Sequence, residues 1–126
     1  RMPLVTISVL SGKPDTYREA VADSVNEAVL DTLDFPPDDR YQLIRELPQQ
    51  DLEIQDREGD RAVLELTMRA GQAREDKVAF YDRVTEALAD DPGIPPENVL
   101  IVITENGEED WSFGSGVAQF IDGDRT

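Results

Sequence analysis

Cysteine and histidine are absent from all 126 residues. Their absence excludes a disulfide framework, a thiol nucleophile, a Ser–His triad and a Cys/His zinc site. Any catalysis therefore falls to carboxylates, cations, hydroxyls or a chain terminus. Lysine is nearly missing as well: of the 12 basic residues only Lys13 and Lys77 are lysines. No apolar run approaches the ~20 residues of a membrane-spanning helix, and the start carries no signal-peptide pattern.

Negative charge is what the chain has in excess. Asp and Glu total 28 against 12 Lys plus Arg, a formal net charge of −16. That balance argues against nucleic acid or an anionic membrane as partner. Acidic residues spread over every segment, with lysine scarce, fit a cytoplasmic protein of a high-salt (halophilic) environment, where screening removes most of the self-repulsion. Hydrophobic residues make up 39%, enough for a core, and the length suits a single domain of ~100–150 residues.

An internal repeat sets the architecture. Shifted by 59 residues, the chain overlays itself without a gap: Gly12 on Gly71, Ala20 on Ala79, Asp23 on Asp82, Val25 on Val84 and Glu27-Ala28 on Glu86-Ala87. Asp31 then falls on Asp90, Pro36-Pro37 on Pro95-Pro96, Ile44 on Ile103 and Glu46 on Glu105, eleven identities over residues 12–46. A repeat of this size marks a duplicated supersecondary unit.

Each unit reads as strand, helix, strand. Leu4 to Leu10 places Val5, Ile7 and Val9 on one face at period two. Gly12 breaks the run, and Pro14-Asp15 suits a first helical turn. Tyr17, Val21, Val25, Ala28 and Val29 then follow a 3.6-residue stripe. Phe35-Pro36-Pro37 ends the helix, because the residue before a proline is pushed out of helical conformation, and Tyr41–Ile44 makes the second strand. The second unit repeats this with Ala62–Met68, a helix over Arg74–Ala89 (Phe80, Tyr81, Val84 and Leu88 inward) and Val99–Ile103.

A crossover helix makes the two strands of a unit parallel. The expected fold is thus α/β (α+β), two β-α-β units at about 3–46 and 62–105 forming a four-stranded mixed sheet with both helices on one face. Val99–Ile103 is apolar on both faces, so the uncovered side predicts self-association. Leu47–Asp60 reads as a loop or small hairpin anchored by Leu52 and Ile54. The Gly-rich tail from Asn106, with Trp111, Phe113 and Phe120, reads as short strands and turns.

Pro3-Leu4 at the start, Pro36-Pro37-Asp38-Asp39-Arg40-Tyr41-Gln42 in the first unit, and Glu105-Asn106 followed by Asp110-Trp111-Ser112-Phe113-Gly114 carry a resemblance. With Gly116, Ala118, Gln119 and Phe120 continuing it, the chain from Pro3 to about Asp124 resembles the tautomerase superfamily, and within it the malonate semialdehyde decarboxylase-like branch. The resemblance implies a tautomerase-like domain over residues 3–126, a homotrimer with inward-facing sheets, and an amino-terminal proline as the catalytic group. A free terminal amine has a pKa near ~7.7–8.0, far below lysine's ~10.4, so it serves as base or acid at neutral pH without histidine. A secondary amine also forms an iminium with a carbonyl compound. Arg1 before Met2 reads as a tag remnant, and removal of Met2 would expose Pro3.

The resemblance also assigns roles by position. Asp39 matches an aspartate that positions water or meets the proline, and Trp111 and Phe113 match an apolar pocket wall. Lys13 stands where many tautomerases carry a substrate-binding arginine. In the decarboxylases two arginines separated by one residue follow the third strand and hold the substrate carboxylate. Here those positions are Ala70 and Gln72, with Arg69 one residue early and Arg74 two residues late. The expected site is therefore Pro3 and Asp39 for catalysis, with Lys13, Arg69, Arg40, Trp111 and Phe113 for a small carboxylate-bearing substrate.

Three functions follow. Enol–keto tautomerisation of a small 2-oxo acid comes first, decarboxylation or hydration of a 3-oxo acid such as malonate semialdehyde second, and a non-catalytic trimeric binding protein third. No cofactor or metal is implied, since the carboxylates follow no ligand-loop spacing.

Overall fold

Alternating apolar residues and two helical stripes fold into one sheet covered by two helices. The computed structural model describes residues 3–123; Arg1 and Met2, read above as tag remnant and initiator, lie outside the described residues. The elements are β1 (Leu4–Leu10), α1 (Asp15–Thr32), β2 (Tyr41–Leu47), β3 (Ala62–Arg69), α2 (Arg74–Asp90), β4 (Val99–Asn106) and a short α3 (Gln119–Asp122). The sheet runs β2-β1-β3-β4. β1 is parallel to β2 and β3 to β4, while the two units meet through antiparallel β1 and β3. The mixed sheet expected from the repeat is the one observed.

Register shows why one face is buried. Val5 pairs with Leu66, Ile7 with Leu64 and Val9 with Ala62, and all six are buried. Against them pack Val21, Val25 and Val29 of α1 and Phe80, Val84 and Leu88 of α2. Each strand-to-helix turn needs a positive φ, supplied by Gly12 at 88° and its repeat mate Gly71 at 132°, a conformation open chiefly to glycine. Leu33, at φ −102° and ψ 150°, ends α1 three residues before the Pro36-Pro37 pair, which cannot continue a helix.

Three expectations need adjustment. Tyr81 is 37% exposed rather than inward, because Phe80, Val84 and Leu88 already define the stripe at i, i+4 and i+8 and Tyr81 lies ~100° around the helix from Phe80. Leu47–Asp60 contains no hairpin among the described residues but a single 3₁₀ turn at Gln49–Asp51; buried Leu52 and Ile54 anchor it. Buried Arg61 staples it by donating to the carbonyls of Gln49, Leu52 and Gly59. The tail forms a 3₁₀ turn at Glu108–Asp110 and α3 instead of strands. There the Gln119 side chain supplies what a strand partner would: its Oε1 accepts from the Phe113 N–H at 2.8 Å and its Nε2 donates to the Gly114 carbonyl at 3.2 Å.

The opposite sheet face stays largely open. Leu43, Leu100 and Val102, which pair with Thr6, Val63 and Glu65, are 50%, 45% and 47% exposed. Among the described residues no helix is long and apolar enough to cross a membrane.

Candidate active site

Strand direction decides which residues meet. Pro3 is buried at the start of β1. Because β2 is parallel to β1, its first residue Tyr41 pairs with Leu4, and half-buried Asp39 arrives at the same end. Because β3 is antiparallel to β1, its last residues arrive there too: Thr67 pairs with Leu4, and Arg69 follows on the same face. Parallel β4 ends alongside, with Asn106 opposite Arg69. Four strand ends thus converge.

The tail then folds over this end. The Trp111 Nε1–H donates to Asn106 Oδ1 at 2.6 Å, tying the indole to the end of β4. Trp111 stacks on Phe113 with centroids 5.2 Å apart and planes 8° from parallel, and Phe113 meets Tyr41 at 5.4 Å. Phe120 stands edge-on to both Phe113 and Trp111, and the Arg69 guanidinium lies over its ring, 4.3 Å from the centroid. Between sheet and tail opens a cleft of about 220 Å³ lined by Leu4, Tyr41, Trp111, Ser112 and Phe113. Apolar walls, with the Arg69 cation on the neighbouring Phe120 ring, suit a small organic acid. A larger hollow, about 500 Å³, is built from α1 and α2 and their flank alone, lined chiefly by carboxylates such as Asp23, Glu27, Glu86 and Asp90. It holds none of the expected site residues. Among the described residues no group of three or more carboxylates is arranged to hold a metal ion.

Pro3, Asp39, Arg69, Trp111 and Phe113 are brought to one end of the sheet; two other candidates are not. Arg40 turns toward the helix side, donating to Asp23 Oδ1 at 2.9 Å and to Gln42 Oε1. Lys13 lies beyond the far end of β1, six strand steps or about 20 Å from the Pro3 end. There it pairs with Asp60 at 2.7 Å and sits over the Tyr17 ring at 5.3 Å. The Tyr17 hydroxyl is buried and makes no hydrogen bond of good geometry. Burial first, and the nearby Asp60 carboxylate second, raise its pKa.

Sequence reasoning missed three contributors. Gln72 joins two loops: its Nε2 donates to the Asp34 carbonyl at 3.2 Å and its Oε1 accepts from the Asp34 N–H at 2.9 Å. The position expected to hold a carboxylate-binding arginine thus carries a carboxamide committed to backbone. Phe120 carries the cation–π contact, and the aromatic spacing of the tail was its signal. Glu108, which meets Arg69 at 3.5 Å, had no signal, being one acid among 28.

A duplicated β-α-β sheet with a buried proline opening its first strand beside an aromatic cleft defines a class, and comparison with known proteins agrees. A family profile described as tautomerase enzyme matches residues 39–114, and a second of the same description matches residues 3–58. The chain belongs to the tautomerase family. It is 32% identical over 128 aligned positions to the probable tautomerase YrdN of Bacillus subtilis, covering 97% of this chain and 98% of that one. A malonate semialdehyde decarboxylase solved with the inhibitor 3-bromopropiolate is 33% identical with a TM-score of 0.90, covering 96% of each chain. A fused 4-OT symmetric trimer, 18% identical, shares the fold at a TM-score of 0.82, over 95% of this chain and 99% of that one.

Proposed function

We propose that the protein is an enzyme whose Pro3, made amino-terminal by removal of the residues before it, catalyses enol–keto tautomerisation of a small 2-oxo acid. The observation that carries this reading is the convergence of Pro3, Asp39, Arg69 and the aromatic cleft on one end of the sheet. The neutral secondary amine takes the enol hydroxyl proton and a proton is delivered to C3, so no proton is consumed overall. A terminal amine with a pKa near ~7.7–8.0 has the acidity for both transfers at neutral pH. Arg69 holds the substrate carboxylate, Trp111, Phe113 and Tyr41 hold its apolar body, and Asp39 assists at the proline. Arg40, paired with Asp23, contributes at the margin.

The working form in this reading is a homotrimer in the cytoplasm of a high-salt cell. Leu43, Leu100 and Val102, exposed on the open sheet face, and the trimeric fold relative support the assembly. Lys13, a strand's length from Pro3 in its own chain, then serves the carboxylate at a neighbouring copy's site. The similarity to a malonate semialdehyde decarboxylase favours a second reading, loss of carbon dioxide from a 3-oxo acid, in which a protonated Pro3 stabilises the carbanion as it forms.

The test compares, in high salt, a preparation beginning at Pro3 with one retaining Arg1-Met2. Both are assayed for phenylpyruvate tautomerisation and malonate semialdehyde loss. Activity is expected in the Pro3 form alone, and the preferred substrate separates the two readings. Equal activity in both removes the proline amine from the mechanism, and inertness of both favours a non-catalytic binder.

A further inference from the structure

The surroundings of Arg69 are of two kinds. The guanidinium carbon lies over the Phe120 ring, 4.3 Å from its centroid, a contact that leaves N–H groups available to a carboxylate. They are met by Glu108 through one contact, Nη1 to Oε1 at 3.5 Å, between side chains 44% and 60% exposed. Charge-assisted bonds of this type close to ~2.7–2.9 Å, and a guanidinium accepts a two-pronged carboxylate. Several ion pairs in the chain do close, among them Arg40–Asp23 at 2.9 Å and Lys13–Asp60 at 2.7 Å, while Arg18–Asp15 stays as long at 3.5 Å. Arg69 is thus held against the Phe120 ring and only loosely engaged by Glu108.

The backbone that carries Glu108 is held, while its exposed side chain can turn aside. Glu108 opens the 3₁₀ turn Glu108–Asp110, closed by the Asp110 carboxylate accepting the Gly107 N–H at 2.8 Å. The turn begins right after Asn106, which anchors Trp111. The same short segment therefore positions an aromatic wall of the cleft and a carboxylate at its cation.

We propose that Glu108 is a specificity-determining residue: an internal carboxylate that occupies Arg69 while the cleft is empty and that an incoming carboxylate must displace. This rests on the reading of Arg69 as the substrate-binding cation. A ligand carboxylate that forms the two-pronged pair Glu108 does not make wins the exchange. A neutral ligand of the same shape leaves the Arg69–Glu108 pair in place and gains nothing from it. Glu108 thereby sets a threshold that favours carboxylic acids over their neutral analogues.

Trp111 is the only tryptophan, so its fluorescence reports binding without turnover. The probes are 3-phenylpropanoate and the matching uncharged amide, titrated in fixed high salt. In Glu108→Gln the acid is expected to bind about two- to fivefold tighter, the range of an exposed ion pair, while the amide is unchanged. The gain vanishes in Arg69→Ala/Glu108→Gln, and Glu109→Gln, equal in charge change, leaves the acid's affinity as it was. Two results overturn the proposal: no tightening in Glu108→Gln although Arg69→Ala weakens the acid, or equal tightening in Glu109→Gln, which would make the effect one of net charge. If Arg69→Ala leaves the acid's affinity untouched, the underlying reading of Arg69 fails instead.

Discussion

The Tyr17 hydroxyl shows how one buried polar atom writes itself into the pH dependence of stability. It is closed off from solvent without a well-formed hydrogen bond. Burial, and behind it the charge of Asp60, raise its pKa from the ordinary 10.0. Above pH ~10 the unfolded chain releases this proton while the folded chain keeps it. The folded state then binds more protons, and stability falls as pH rises. Below pH ~10 both states hold the proton and the stability is fully present. Urea unfolding at pH 9 and pH 11 should therefore show a loss for the natural chain that Tyr17→Phe reduces. Near neutrality the same substitution should be close to neutral, since the buried hydroxyl it removes has only a poorly formed hydrogen bond to Asp60. A pH-dependent loss of equal size in both proteins would show that Tyr17 ionises normally.

The loop elements carry the second level of control. Asp39 rides on the segment between α1 and β2, stiffened by Pro36-Pro37 and tied at Asp34 by both ends of the Gln72 carboxamide. A side chain that accepts from an N–H and donates to the carbonyl of the same residue imitates a sheet pairing across two loops. Its net worth is ~0.5–1.5 kcal/mol per bond. Gln72→Ala should accelerate hydrogen exchange at the Asp34 amide about tenfold and lower kcat more than it raises KM, because Asp39 is loosened rather than removed. Unchanged exchange at Asp34 would count against the tie. At this scale the helices and strands were legible because apolar periods of 3.6 and 2 survive in each unit and prolines mark their ends. The tail was not, since its backbone is organised by the side chain of Gln119 and by Ser115 and Gly116 at φ 60° and 67°, features with no periodic signal.

At the scale of the whole molecule the open sheet face is the unfinished part. Leu43 stands exposed on one edge strand and Leu100 and Val102 on the other, with Thr6 and Glu65 between them in the register, and the proposed trimer covers these edges. Val102→Glu should shift light scattering from trimer toward monomer while leaving circular dichroism intact, because this side chain already faces solvent in the single chain. A trimer that survives the substitution would place the interface elsewhere. In high salt the net charge of −16 is screened, so the measurement reads apolar contact rather than repulsion.

The repeat, its periodicities and its proline punctuation determined that two β-α-β units would form and which stripes they would bury, since these are local properties of residues a few positions apart. That the units join through antiparallel β1 and β3 is a relation between them, and only the tertiary structure decided it. That one choice brings Arg69 to the Pro3 end of the sheet, whereas Lys13 lies a strand's length away, about 20 Å, because it follows β1. The tertiary structure also commits Gln72 to a backbone tie at Asp34 and singles out Glu108 from 28 acids. Proximity between distant residues depends on strand direction and register, and no local pattern in the chain encodes those.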